Sequence, residues 1–107
     1  MGRQMKKILY IRWYVDLTEE EKIRMQKAML RTLCLYDILR ARVEQHCDKR
    51  LGKLIANRTV EIVGWGRTKK LDRIIWLKAP AEIGAKLLET KSLKMEVWRT
   101  KSKANVD

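Results

Sequence analysis

Short stretches that alternate apolar with polar side chains, set between helical patterns and turns, constrain this chain more than any other feature. Successive strand residues point to opposite faces, whereas helix residues share a face every third or fourth position. A change of period therefore marks a change of element. KKILYIRWYV (6–15) is rich in β-branched and aromatic residues and reads as a strand. In the following DLTEEEK, Thr18 and Glu21 have capping-box spacing, and Glu19, Glu20 and Glu21 suit the positive end of a helix dipole. No proline interrupts the helical pattern from there to about Ala56, and Gly52 is the expected kink or break. Residues 59–65 and 73–78 read as strands joined by a Gly66–Asp72 turn. Pro80 suits the first turn of a helix, and AEIGAKLLET forms a short one that Gly84 weakens. LKMEVWRTK (93–101) alternates as a last strand, with flexible ends expected over residues 1–5 and 102–107.

The expected order is β-α-β-β-α-β in a single domain spanning residues 1–107. That order is the ferredoxin-like pattern of an α+β protein, an antiparallel sheet with its helices on one face. The first helical region is unusually long for it.

Alternation also assigns sides. In the first strand Leu9, Ile11, Trp13 and Val15 oppose Ile8, Tyr10, Arg12 and Tyr14; in the last, Leu93, Met95 and Val97 oppose Lys94, Glu96 and Trp98. One hairpin register keeps Val60 and Ile62 beside Ile75 and Leu77, and sets Val63, Trp65 and Arg67 beside Ile74, Trp76 and Lys78 on the reverse. With the aliphatic set under the helices, Tyr10, Tyr14, Trp65, Trp76 and Trp98 gather on the opposite face, interleaved with Arg12, Lys78 and Lys94. Rings offer flat surfaces on which bases stack, and cations neutralise phosphate. RNA-recognition domains of this topology use their open sheet in that way, an analogy of architecture, since no RNP-type motif appears in this chain. The competing expectation is that a second layer or subunit covers the rings, because Ile8, Val63 and Ile74 make the same face apolar.

The long helical region carries two stripes. Ile23, Leu30, Cys34, Ile38 and Ala41 form one, and Met25, Met29, Leu35, Tyr36, Leu39 and Val43 form another nearly opposite. A helix lying on a sheet needs one apolar stripe. The second implies a protein partner or homodimer through Met25, Met29, Leu35, Tyr36, Leu39 and Val43, or else the chain folding back after a break.

Charge names the partner class. The chain has 25 Lys and Arg against 13 Asp and Glu, a net charge of +12, which attracts RNA, DNA or an acidic membrane surface, the alternative being a solubilising surface charge. Arg67, Lys69, Lys70 and Arg73 at the hairpin are expected to meet backbone phosphate, with Lys49, Arg50, Lys53 and Arg58 as a second basic cluster. No apolar run approaches the ~18 residues of a membrane span. The apolar stretch near the start is short and contains Arg12, so a secretory signal is not expected. Cys34 and Cys47 would lie about 20 Å apart on a continuous helix, too far to bridge, and reduced thiols point to an intracellular protein.

Nothing in the chain suggests catalysis. His46 is the one histidine; it has no second ligand at metal spacing, and its neighbour Cys47 points about 100° away on a helix. GWGR does not lead into a helix as a phosphate-binding glycine loop would. The expectation is a protein that is not an enzyme and needs no cofactor or metal.

Three segments carry a family resemblance: VEIVGWGRTKKL (60–71), DLTEEE (16–21) and KAPAEI (78–83). In family order, they resemble stretches of the bacterial-type ribosomal protein six of the small subunit. That resemblance implies a βαββαβ fold, ribosomal RNA and a neighbouring protein as partners, and Trp65, Gly66, Arg67, Lys69 and Lys70 in the matching segment. The sequence therefore predicts a nucleic-acid-binding protein, for RNA rather than DNA, within a ribonucleoprotein or similar assembly. The alternative is a protein-interaction module, or a small phage- or plasmid-type regulator, that oligomerises through the long helix.

Overall fold

A computed structural model describes residues 7–67 and 73–101. The fold is α+β. Strands β1 (Ile8–Val15), β2 (Glu61–Arg67), β3 (Arg73–Pro80) and β4 (Met95–Lys101) form a four-stranded antiparallel sheet in the order β2-β3-β1-β4. Helices α1 (Glu19–Lys27), α2 (Arg31–His46) and α3 (Lys49–Ala56) fall between β1 and β2, and α4 (Ala81–Glu89) follows β3.

The core forms where the alternation places it. Ile11, Trp13 and Val15 from β1 and Ile75, Leu77 and Ala79 from β3 are buried together with Leu35, Ile38, Leu39 and Val43 of α2, Ile55 of α3 and Leu87 of α4. Leu9 and Ile11 lie so close beneath α4 that a Cβ on Gly84 would stand 2.9 Å from one Leu9 methyl. The glycine that weakens this helix locally is what lets it approach the sheet. Pro80 is its N-cap.

The long helical region divides into three. α1 starts at the expected capping box: Thr18 Oγ1 accepts from the Glu21 amide at 3.1 Å, and Glu21 Oε1 accepts from the Thr18 amide at 2.9 Å. Ala28 and Leu30 then take up extended backbone and turn the chain. The break leaves Met25 of α1 and Ile38 of α2 buried in one core. The second break is at Cys47 and Asp48, not at Gly52. Asp48 caps α3 by accepting from the Arg50 amide at 2.7 Å. Gly52 lies inside α3, where a Cβ would meet the Glu44 side chain at 2.5 Å, so it permits α3 to lie close against α2.

The chain thus folds back on itself, and the assignment of the second stripe to a partner is overturned. Met25, Leu35, Tyr36, Leu39 and Val43 are all buried within the chain; of that set only Met29 is exposed. The first stripe is split: Cys34 and Ile38 are buried, whereas Ile23, Leu30 and Ala41 face solvent. Tyr36 is tied on both sides. Its hydroxyl accepts from the Ile62 amide at 2.8 Å, and the Arg58 guanidinium lies 3.8 Å from its ring centre. The last strand starts later than its alternation suggests. Lys91–Leu93 is a short 3-10 turn with Leu93 buried, and Lys94 has a left-handed backbone (φ 58°) before β4 begins.

Candidate nucleic-acid interface

The sheet face away from the helices is built from cross-strand rows. Arg12 stands between Trp76 on β3 and Glu96 on β4, and Trp76 in turn opposes Gly64 on β2. On one side Tyr10 opposes Lys78, which opposes Glu61; on the other Tyr14 opposes Ile74, which opposes Gly66. Trp98 joins them from β4, its ring edge-on to Tyr10 with centroids 5.6 Å apart. Tyr10, Tyr14, Trp76 and Trp98 are each partly exposed.

The two glycines of GWG belong to this face and make room for Trp76. A Cβ on Gly64 would lie 3.7 Å from its indole, and one on Gly66 only 3.3 Å. The ring occupies the surface that side chains would cover, as aromatic partners of strand glycines do.

Trp65 and Arg67 are not on this face. The β2–β3 register shifts between Ile62 and Gly64, so Val63 is a bulge residue and the alternation reverses beyond it. Trp65 opposes Ile75, and Arg67 opposes Arg73, on the side where the helices lie. There they meet α1 and the start of α2 in a cleft that also includes Met25, Gln26 and Arg31. Arg31 has no periodic signal; only the turn at residues 28–30 brings it to the hairpin. A second bulge falls at Trp98, between the Ile11–Val97 and Tyr10–Arg99 pairs, and its ring still packs against Tyr10.

Neighbouring acids compensate part of the charge. Arg12 pairs with Glu96 at 3.3 Å, and Glu96 also accepts from the Tyr14 hydroxyl at 2.6 Å. That hydrogen bond raises the Tyr14 phenol above its ordinary value. Lys94 is not interleaved with the rings: its ammonium lies 2.7 Å from the Asp16 carboxylate, which it holds below the usual range. Lys78 forms no ion pair among the described residues.

The second basic cluster lies on the helix layer. Lys49, Arg50 and Lys53 project from α3 and are exposed, while Arg58 closes the helix through the Ala56 carbonyl at 3.1 Å. Lys69 and Lys70 lie outside the described residues. Neither cysteine is in a disulfide; Cys34 is buried, and Cys47 Sγ accepts from Thr90 Oγ1 at 3.2 Å. Among the described residues no His, Cys, Asp or Glu cluster has metal-site geometry, and no helix is long and apolar enough to cross a membrane.

The outside of the α1–α2 turn is an exposed apolar corner, which includes Met29 of the expected partner stripe and Ile23 and Leu30 of the other. Met29 is 95% exposed and Leu30 63%, with Ile23 and Leu33 beside them and Arg24 and Lys27 at the margin.

Compared with protein-family models, curated proteins and solved structures, the chain matches none.

Proposed function

We propose that this is a non-enzymatic, intracellular nucleic-acid-binding protein, for RNA rather than DNA, acting within a ribonucleoprotein or similar assembly. The observation that carries the reading is the sheet face away from the helices, where Tyr10, Tyr14, Trp76 and Trp98 are partly exposed beside Arg12 and Lys78. The chain's charge of +12 supplies the attraction, and Lys49, Arg50 and Lys53 provide a second basic area. The ferredoxin-like reading belongs to the same proposal. It is supported by the β2-β3-β1-β4 order, with the first helical region divided into three. Kinship with small-subunit ribosomal protein six rests only on the three motif segments.

Titrating the protein with a labelled single-stranded oligoribonucleotide over a range of salt tests this reading. A steep loss of affinity with salt is expected, about 0.7 in log–log slope for each phosphate contact. Absence of binding at low salt rejects it.

The exposed corner of Ile23, Met29, Leu30 and Leu33 favours a second reading, a protein-interaction module that self-associates through its helices. The contact would be made by this corner and not by the stripe now buried in the core.

A further inference from the structure

We propose that the cleft between the hairpin and the α1–α2 turn binds a phosphate group of single-stranded RNA, with an adjoining base against Trp65. This deepens the nucleic-acid reading and rests on it, but assigns a site on the opposite side of the sheet from the stacking face. Three cations converge there in placements unfavourable to the free protein. Arg67 and Arg73 are direct cross-strand partners on one face, and like charges so paired repel. Arg31 is in the first turn of α2, at the positive end of a helix with neither a side-chain cap nor a first-turn acid. Among the described residues no Asp or Glu lines the cleft, and none of the three arginines forms an ion pair with another of them. An anion seated among them relieves all three.

The remaining lining decides which anion fits. Trp65 is 39% exposed, a ring available at the mouth of a basic cleft. Guanidinium forks match phosphate oxygens, and an indole face accepts any base by stacking. Gln26 supplies a neutral amide, and Met25 an apolar floor. The bulge at Val63 makes the site, because unbroken alternation would have sent Trp65 and Arg67 to the other face. The outer edge of β2, without a neighbouring strand among the described residues, offers RNA one route between this cleft and Trp76.

The test compares the wild-type chain with Arg31→Gln/Arg67→Gln/Arg73→Gln, with the corresponding triple Lys variant and with Trp65→Ala. The probe is 3′-fluorescein decauridylate, read by anisotropy as salt is raised. The Gln variant should bind roughly tenfold more weakly or worse, with a log–log salt slope lower by about 0.7 for each phosphate lost. The Lys variant should keep the slope and recover only part of the affinity, since it retains charge but loses the planar fork. Trp65→Ala should bind roughly five- to a hundredfold more weakly. Without RNA the Gln variant should melt no lower than wild type in low salt, because it removes repulsion. Wild-type binding with unchanged affinity and slope in the Gln variant overturns the cleft and leaves the sheet-face reading standing. No binding by the wild type at low salt overturns both. A Gln variant that melts lower yet binds normally overturns the cleft as well, since its arginines would then be structural.

Discussion

Glu21 does two jobs with one carboxylate, and its ionisation should set the acid limit of the fold. Besides completing the α1 cap, it forms a two-pronged pair with Arg42 of α2, one prong Nη2 to Oε1 at 2.7 Å. The same guanidinium also donates to the Asp16 carbonyl at 2.9 Å, tying the end of β1 to both helices. The hydrogen bond from Arg42, aided by the Thr18 amide, lowers the Glu21 carboxyl from 4.5 to about 2. A folded-state value below the unfolded one stabilises above the unfolded value and is lost as pH falls toward the folded one. Stability should therefore hold above about pH 5 and decline toward pH 2, by about 2–3 kcal/mol from this group. Urea melts across that range check this, and Glu21→Gln should flatten the decline. The tryptophans separate core from surface in the same way. Trp13 is buried beneath the helices, so Trp13→Ala should lower stability by about 3–5 kcal/mol. Trp76→Ala and Trp98→Ala should each weaken RNA binding by about 1–3 kcal/mol if their rings stack on bases. Their partial exposure also predicts quenching of these rings by bound RNA, with Trp13 spared.

Among the elements, α3 depends most on the residue just ahead of it, Asp48. With Gly52 at its centre and eight residues in all, it has little intrinsic helicity, and Asp48 supplies its side-chain cap. Asp48→Ala should lower stability by about 1 kcal/mol and raise exchange of the α3 amides before those of α2. This break was legible in principle, since aspartate ahead of a short amphipathic run is a helix-start signal. The break at residues 28–30 was not. Ala28, Met29 and Leu30 have no helix-ending chemistry, so nothing local in the sequence marks the turn. The strands show the same division. Two-residue alternation correctly separated Ile11, Trp13 and Val15 from Tyr10, Arg12 and Tyr14. It misplaced Trp65 and Arg67 because the bulge at Val63 adds one residue and reverses the alternation beyond it, with Gly64 as its local sign. Tyr10, Trp76 and Trp98 on the sheet face were legible, whereas Arg31 joins the cleft only through the fold.

Across the whole molecule, the surplus of positive charge and the exposed apolar corner respond to salt in opposite senses, and that contrast separates the two functional readings. Polyanion binding releases counterions, so added salt weakens it. Self-association of chains carrying +12 each must overcome mutual repulsion, so screening strengthens it. Sedimentation without RNA, from about 0.05 to about 0.5 M salt, where the screening length falls from well above to well below ~10 Å, should leave a monomer under the RNA reading. Under the interaction reading it should give a heavier species as salt rises. Met29→Glu/Leu30→Glu then places the contact. Both side chains are exposed in the isolated chain, so the fold should survive and helical circular dichroism should remain unchanged. If the corner is the contact, the heavier species disappears in this variant at every salt concentration. If RNA binding is the function and the corner plays no part, the variant stays monomeric and binds somewhat more weakly, since two added acids reduce the attraction. A heavier species that persists in the variant puts self-association elsewhere on the surface and removes the specific support for the second reading.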